Sequence, residues 1–279
     1  MSENVDPKNV DPKDLLELAV RLAAEAGRIL VQERPRDLGV ADTKSSPTDI
    51  VTVMDQRSEK FIVEGILAER PDDAILGEEG SDREGTSGVR WVIDPIDGTV
   101  NYLYEIPLWG VSIGVEIDGE TVAGVVEIPM LRETFTALRG HGAYRDGEPI
   151  SAYSAQSEGK PVPLERALVA TGFGYAAQRR AVQGAIVADL LPLVRDIRRG
   201  GSAALDLCSV ACGRVDAYYE RGAKPWDLSA GALIAQEAGA KVGGLYGAAA
   251  SDEMTVAAAD GLFEALCGFL EGRDAARDS

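Results

Sequence analysis

Residues 91–99 read WVIDPIDGT, an apolar strand that ends in two aspartates, Asp94 and Asp97, followed at once by Gly98 and Thr99. A strand tip that carries two carboxylates and turns on glycine into a polar segment can build a hard-cation site facing a row of backbone N–H donors. Such a site suits the holding and cutting of a phosphate. A strand end followed by a type I turn uses the same residues for purely local reasons. Asp94 argues for more, because a carboxylate that closes an apolar strand is costly to bury unless a cation or several donors meet it.

Other acids have similar settings. In LGEEG, residues 76–80, Glu78 and Glu79 follow the short apolar segment AIL, so one of them can point inward from a strand end; a solvated acidic loop has the same composition. Asp55, in VTVMDQ, either joins the site or caps the helix that follows it. Asp227, in PWDLSAGALIAQEAGA, stands at a helix start, where an acid is also favoured by the helix dipole alone.

The elements that would position these acids follow from periodicity. Leu15, Leu18, Leu22, Ala26, Ile29 and Leu30 recur at helical spacing within residues 13–33, and a second amphipathic helix is expected over about 55–69. The polar, proline-bearing VADTKSSPTDIVT between them reads as a loop or hairpin able to close over a site. From Trp91 the pattern turns to strands with Asp-Gly turn signals at 118–119 and 146–147, which predicts an antiparallel meander. After the Ser- and Pro-rich joint SAYSAQSEGKPVP, strands at ALVAT and VDAYYE alternate with helices over about 177–196, 203–212 and 227–238, and a final strand and helix.

Composition narrows the function classes. The chain of 279 residues has a formal charge of −18, with 46 acids against 28 bases, which argues against a nucleic-acid groove. The same excess repels a free phosphate ester, so an anionic substrate calls for divalent cations as mediators. Cys208, Cys212 and Cys267 are too few for a disulfide framework, and with His141 the lone histidine a zinc site lacks soft ligands; the cysteines read as core residues. No apolar run approaches a membrane span. The opening MSENVDPKN lacks the features of a secretory signal, so the expectation is a mobile tail over residues 1–9 and a cytoplasmic protein.

Taken together, KSSPTDIVTVMDQ, GEEG, WVIDPIDGTVNY, GSAALDLCSVACGRVDAYYE and WDLSAGALIAQEAGA, in that order, resemble the inositol monophosphatase family of magnesium-dependent, lithium-sensitive phosphatases. The resemblance implies an α+β fold, a layered αβαβα sandwich of the inositol monophosphatase and fructose-bisphosphatase type, as a homodimer. It implies a phosphatase domain over 10–275 in two fused halves, a metal-binding half over about 10–155 and an α/β half over 156–275. It assigns Glu78, Asp94 and the carbonyl of Ile96 to a first Mg2+ ion, Asp94, Asp97 and Asp227 to a second, and Glu78 through waters to a third. Thr99 and Asp55 match the pair that activates the attacking water, and the N–H groups of Gly98 and Thr99 would bind the phosphate. Asp97, Gly201, Ser202, Ala203 and Glu220 would take the alcohol part, and Lys44 matches a loop position near the third ion.

The substrate expected is inositol 1-phosphate or a similar small polyol phosphate. Histidinol phosphate and fructose 1,6-bisphosphate are the enzymatic alternatives, and a regulatory binding role, as some bacterial relatives have, is the non-enzymatic one. Arg198 and Arg199 could meet a second anionic group, although both read most simply as solvated helix-end charges.

Overall fold

The computed structural model describes residues 10–44, 50–153, 160 and 162–277. The expected N-terminal tail and most of the Ser- and Pro-rich joint lie outside the described residues. Five layers stack in the order helix, sheet, helix, sheet, helix. Helices α1 (Pro12–Gln32) and α2 (Val53–Glu69) cover one face of a seven-stranded sheet. Between these helices, β1 (Asp42–Thr43) and β2 (Ile50–Val51) pair antiparallel, in the segment expected to form a loop or hairpin. The large sheet contains β3 (Ala74–Gly77), β4 (Val89–Asp97), β5 (Gly110–Ile117), β6 (Glu120–Ile128), β7 (Glu133–Leu138), β8 (Ala143–Arg145) and β9 (Glu148–Pro149) in sequential order. From β4 to β9 every pairing is antiparallel, the expected meander, whereas β3 joins β4 in parallel. The turn signals hold: Asp118 and Gly119, like Asp146 and Gly147, take positive φ, as hairpin turns with the right twist require.

The central helical layer is α5 (Ala203–Ala211) and α6 (Pro225–Glu237), packed between the two sheets. The second sheet runs β11 (Asp196–Arg198), β10 (Leu168–Thr171), β12 (Ala217–Glu220), β14 (Thr255–Ala258) and β13 (Lys241–Gly243), with α4 (Ala177–Leu190) and α7 (Leu262–Glu271) on its outer face. Strand alternation sorts the side chains: on β12, Tyr218 faces α5 and α6 while Ala217 and Tyr219 face α4 and α7.

One expectation fails. The helix predicted over 177–196 ends at Leu190, a 3-10 turn follows over Leu191–Leu193, and Asp196–Arg198 is an edge strand parallel to β10. Pro192 has no N–H to continue the helical ladder, so the charged stretch after it is free to pair with β10.

Helix α6, which carries Asp227 in its first turn, packs tightly on the seven-stranded sheet because β5 and β6 present glycines to it. A Cβ on Gly114 would lie 2.1 Å from the Ser229 hydroxyl oxygen, and one on Gly124 would lie 2.9 Å from the Ala230 Cα. The Ser112 hydroxyl donates to the Trp226 carbonyl at 3.2 Å, which ties β5 to the first turn of α6. Gly114→Val should therefore push α6 off the sheet and cost about 1–3 kcal/mol, the usual range for overpacking. A lower urea midpoint at unchanged slope would register it.

Candidate active site

Six segments converge on one cavity of about 940 Å³, lined among others by Glu78, Asp94, Asp97, Thr99, Glu220 and Asp227. Asp94 and Asp97 are three residues apart, which on a regular strand would send them to opposite faces. A bulge interrupts the β4–β5 register between them, and the Asp94 Oδ1 accepts the Ile96 N–H at 3.0 Å inside it. The bulge turns both carboxylates toward the same space. Oxygens of Asp94, Asp97 and Asp227 lie within 4.8 Å of one another.

Each acid is also held from behind. The Asp97 Oδ2 accepts the Ser202 hydroxyl at 2.5 Å and the Ala204 N–H at 2.7 Å, so it sits on the N-terminus of α5 and binds the first sheet to the second half of the chain. Asp55 resolves its two readings by using both oxygens. Oδ2 accepts the Thr52 N–H at 2.8 Å and its hydroxyl at 2.6 Å, closing the α2 capping box, while Oδ1 accepts the Thr99 hydroxyl at 3.0 Å. Asp227 does likewise: Oδ2 takes the Lys224 N–H at 2.6 Å as a first-turn acid of α6, and the carboxylate still reaches the trio.

The Thr99 hydroxyl also stands 3.1 Å from the Ile96 carbonyl, and Thr99 itself starts the short helix α3 (Thr99–Leu103). Gly98 before it takes φ +100, and a Cβ there would press on the Leu108 carbonyl at 3.1 Å, so the turn into α3 requires glycine. Tyr102 pins α3 by donating its hydroxyl to the Leu30 carbonyl at 2.8 Å.

Glu78 lines the cavity beside Asp94, yet stands outside the tight trio. Lys44 donates to its Oε1 and to Glu79 Oε1, each at 2.7 Å, while the buried Glu78 Oε2 has no hydrogen-bond partner among the described residues. Burial opposes the Lys44 charge, but Glu78 and Glu79 more than compensate and hold the ammonium proton well above the usual lysine range.

On the alcohol side, Glu220 accepts the Tyr218 hydroxyl at 2.9 Å. Lys224, four residues on, pairs with Asp252 at 3.1 Å. Gly201, with φ +97, Ser202 and Ala203 line the cavity next to Glu220. The two arginines part company: Arg198 turns to Asp196 at 2.6 Å, in solvent, whereas Arg199 lines the cavity, its guanidinium carbon 5.9 Å from the Phe173 ring centroid. Neither ends a helix, since both belong to the β11 edge and the turn after it. Arg179, Arg180 and Lys224 line the cavity as well.

Sequence reading passed over Asn101 and Glu59. Asn101 donates to the Leu108 carbonyl at 2.6 Å and the Gly200 carbonyl at 2.9 Å, joining α3 to the turn before α5. Glu59 shares a helix face with Asp55, a spacing of four that could have flagged it. The cysteines are free thiols, as expected: Cys208 and Cys267 are buried and Cys212 half-buried.

Electrostatically the cluster cannot stand alone. Burial, then Glu78, Asp97 and Asp227, push the Asp94 carboxyl well above the usual carboxylate range; burial, then Asp97 and Glu78, do the same to Asp227. Burial lifts Asp97 to about 6 against the pull of Ser202 and Ala204, lifts Asp55 to about 6, and lifts Glu220 to about 7. Crowded, oxygen-only ligands and an orphaned Glu78 oxygen match what a hard divalent cation requires.

These shifts make the metal-free chain sensitive to pH. Carboxyls whose pKa is raised on folding bind protons more tightly in the folded state, so their contribution is full below about pH 4 and is lost as pH rises through 6 to 7. The melting temperature of chelator-treated protein should fall between about pH 5 and pH 8. Adding MgCl2 should restore most of it at the upper end.

Comparison with known proteins covers the same residues. The inositol monophosphatase family profile matches residues 11–272. The inositol-1-monophosphatase SuhB of Mycobacterium tuberculosis is 45% identical over 249 residues, 83% of this chain and 84% of that protein. A protein named Nus factor SuhB in Escherichia coli is 40% identical over 235 residues, 84% of this chain and 86% of its own. Among solved structures, the extragenic suppressor protein suhB of Bartonella henselae shares the fold at a TM-score of 0.85 and 33% identity, over 92% of this chain and 98% of that one. With a match that runs from the N-cap of α1 to the end of α7, the chain belongs to the inositol monophosphatase family and is a phosphatase of that group.

Proposed function

We propose that the chain hydrolyses inositol 1-phosphate or a similar small polyol phosphate with the help of two or three magnesium ions. The observation that carries this reading is the meeting of Asp94, Asp97 and Asp227 within 4.8 Å of one another, in the cavity that is also lined by Thr99, whose hydroxyl is bonded to the buried Asp55. Glu78, Asp94, the Ile96 carbonyl, Asp97 and Asp227 would hold the ions. When bound, such ions neutralise charge that gathers on the phosphoryl oxygens and make water a better nucleophile.

The chain's own groups divide the remaining work. Asp55 orients the Thr99 hydroxyl through its Oδ1. With Asp55 raised to about 6, the pair is tuned to accept a proton near neutral pH as water attacks phosphorus. The N–H groups of Gly98 and Thr99 would bind the phosphate. Gly201, Ser202, Ala203, Asp97 and Glu220 would hold the alcohol, since carboxylates accept paired hydrogen bonds from vicinal hydroxyls. The new P–O bond forms from water, the ester P–O bond breaks, and the departing alcohol oxygen takes up a proton.

On this reading residues 10–275 act as one catalytic unit in two fused halves, dimeric and cytoplasmic, and inhibited by lithium. Among the described residues no helix is long and apolar enough to cross a membrane. One further observation favours a second substrate: Arg179, Arg180, Arg199 and Lys224 among the residues lining the cavity would suit a second phosphate, as in fructose 1,6-bisphosphate. Glu220 would favour the cationic group of histidinol phosphate instead. The name of the Escherichia coli relative keeps a regulatory binding role as the non-enzymatic alternative. Phosphate release across inositol, sugar, histidinol and nucleotide phosphates tests all of these. The highest kcat/KM on inositol 1-phosphate is the expected result, and no release from any ester would refute the enzymatic reading.

A further inference from the structure

Helix α2 carries three buried polar side chains at helical spacing, Asp55, Ser58 and Glu59, exposed by 0, 0 and 1%. Each reaches a different part of the site. Asp55 takes the Thr99 hydroxyl, and the Ser58 hydroxyl donates to the Pro95 carbonyl at 3.2 Å, within the bulge that turns Asp94 and Asp97 together. The third reaches the turn that carries Glu78. Glu59 Oε2 accepts the Glu79 N–H at 2.8 Å and Oε1 accepts the Ser81 N–H at 3.0 Å.

A carboxylate that spends both oxygens on N–H groups of one short turn fixes that turn, because charge-assisted bonds are stronger than neutral ones and stronger still out of water. A second, separate feature agrees. Gly77 precedes Glu78, and a Cβ at position 77 would lie 2.6 Å from Glu59 Oε2 and 2.7 Å from its carboxyl carbon. The glycine is what lets the carboxylate approach the turn.

We infer that Glu59 is a positioning residue for Glu78, and that it sets the cation affinity of the acidic pocket without touching substrate. This rests on the reading of Glu78, Asp94, Asp97 and Asp227 as magnesium ligands. Without its anchor the 77–81 turn spreads over several conformations, and apparent affinity falls with the fraction that presents Glu78 correctly. Groups that orient metal ligands from behind commonly account for about 10–100-fold in affinity. Glu59 does not line the cavity, so substrate contacts are spared.

The test is a calorimetric titration of MgCl2 into metal-free full-length protein. Glu59→Gln, which turns an amide NH2 toward one of the two N–H donors, should weaken magnesium binding by about 10-fold or more. Gly77→Ala should weaken it in the same direction, since its methyl claims the space of the carboxylate. With inositol 1-phosphate at saturating magnesium, KM should stay within about twofold of wild type. A role confined to stability would lower the melting temperature and leave magnesium affinity alone. Folded Glu59→Gln that binds magnesium within about twofold of wild type overturns the inference. Should Glu59→Gln not fold, Glu59→Asp decides by the same criterion, since it keeps the charge but stops one methylene short of the turn. Wild-type protein with no saturable magnesium binding would instead refute the metal reading on which the inference stands.

Discussion

Asparagine at position 94 is expected to lower phosphate release by at least about 10³-fold, equivalent to about 4 kcal/mol of barrier, with the fold retained. Asp94 is 1% exposed, closes the apolar run of β4 and stands amid Glu78, Asp97 and Asp227. The amide is nearly isosteric and its oxygen can keep the 3.0 Å bond from the Ile96 N–H. What it removes is the negative charge at the centre of the cluster. Because the carboxylates repel one another when no cation is present, the metal-free variant should melt higher than metal-free wild type, while the gain in melting temperature on adding magnesium should shrink. Initial rates and paired melts, with and without MgCl2, measure both. A variant that hydrolyses at the wild-type rate would mean that Asp94 is not part of the reacting centre. A variant that loses turnover but keeps a protein-binding activity would separate an enzymatic from a regulatory role.

Exhaustive chelation should have an effect of similar size, with phosphate release falling by about 10³-fold or more and returning on addition of MgCl2. The reason is electrostatic. A phosphate ester entering a cavity floored by Asp94, Asp97, Asp227 and Glu78 meets like charge, and Lys44, bonded to Glu78 and Glu79, offsets only part of it. Calcium should restore less than magnesium, since its larger, looser coordination holds the reacting oxygens less tightly. Turnover that survives chelation unchanged would contradict the proposed chemistry outright.

Much of this was legible along the chain. Asp94 and Asp97 stood out because buried carboxylates at the end of WVID require a reason, and the meander could be traced by its Asp-Gly turns, which take the positive φ those residues permit. Asp55 and Asp227 each offered two readings that looked like rivals. They were not, because a carboxylate has two oxygens, and in both residues one serves the helix start while the other remains for the site. Other features left no local trace. The end of α4 was missed because the apolar spacing continues past Leu190 while Pro192 stops the ladder. The fates of Arg198 and Arg199 differ because β11 ends between them: Arg198 stays on the edge strand beside Asp196, and Arg199 follows the turn into the cavity.

By itself the sequence determined most of the elements and the acidic strand end at Asp94 and Asp97, because periodicity and the cost of burying charge act within a few residues; Asp55, Glu78 and Asp227 joined them only through the resemblance to the family. Only the tertiary structure decided that a bulge brings Asp94 and Asp97 to one side, that Lys44 takes one oxygen of Glu78, that Arg199 faces the cavity, and that Glu59 grips the turn beside Gly77. Those outcomes depend on which segments meet across the layers, and pairings between residues far apart in the chain are set by the packing of the whole fold rather than by any local pattern.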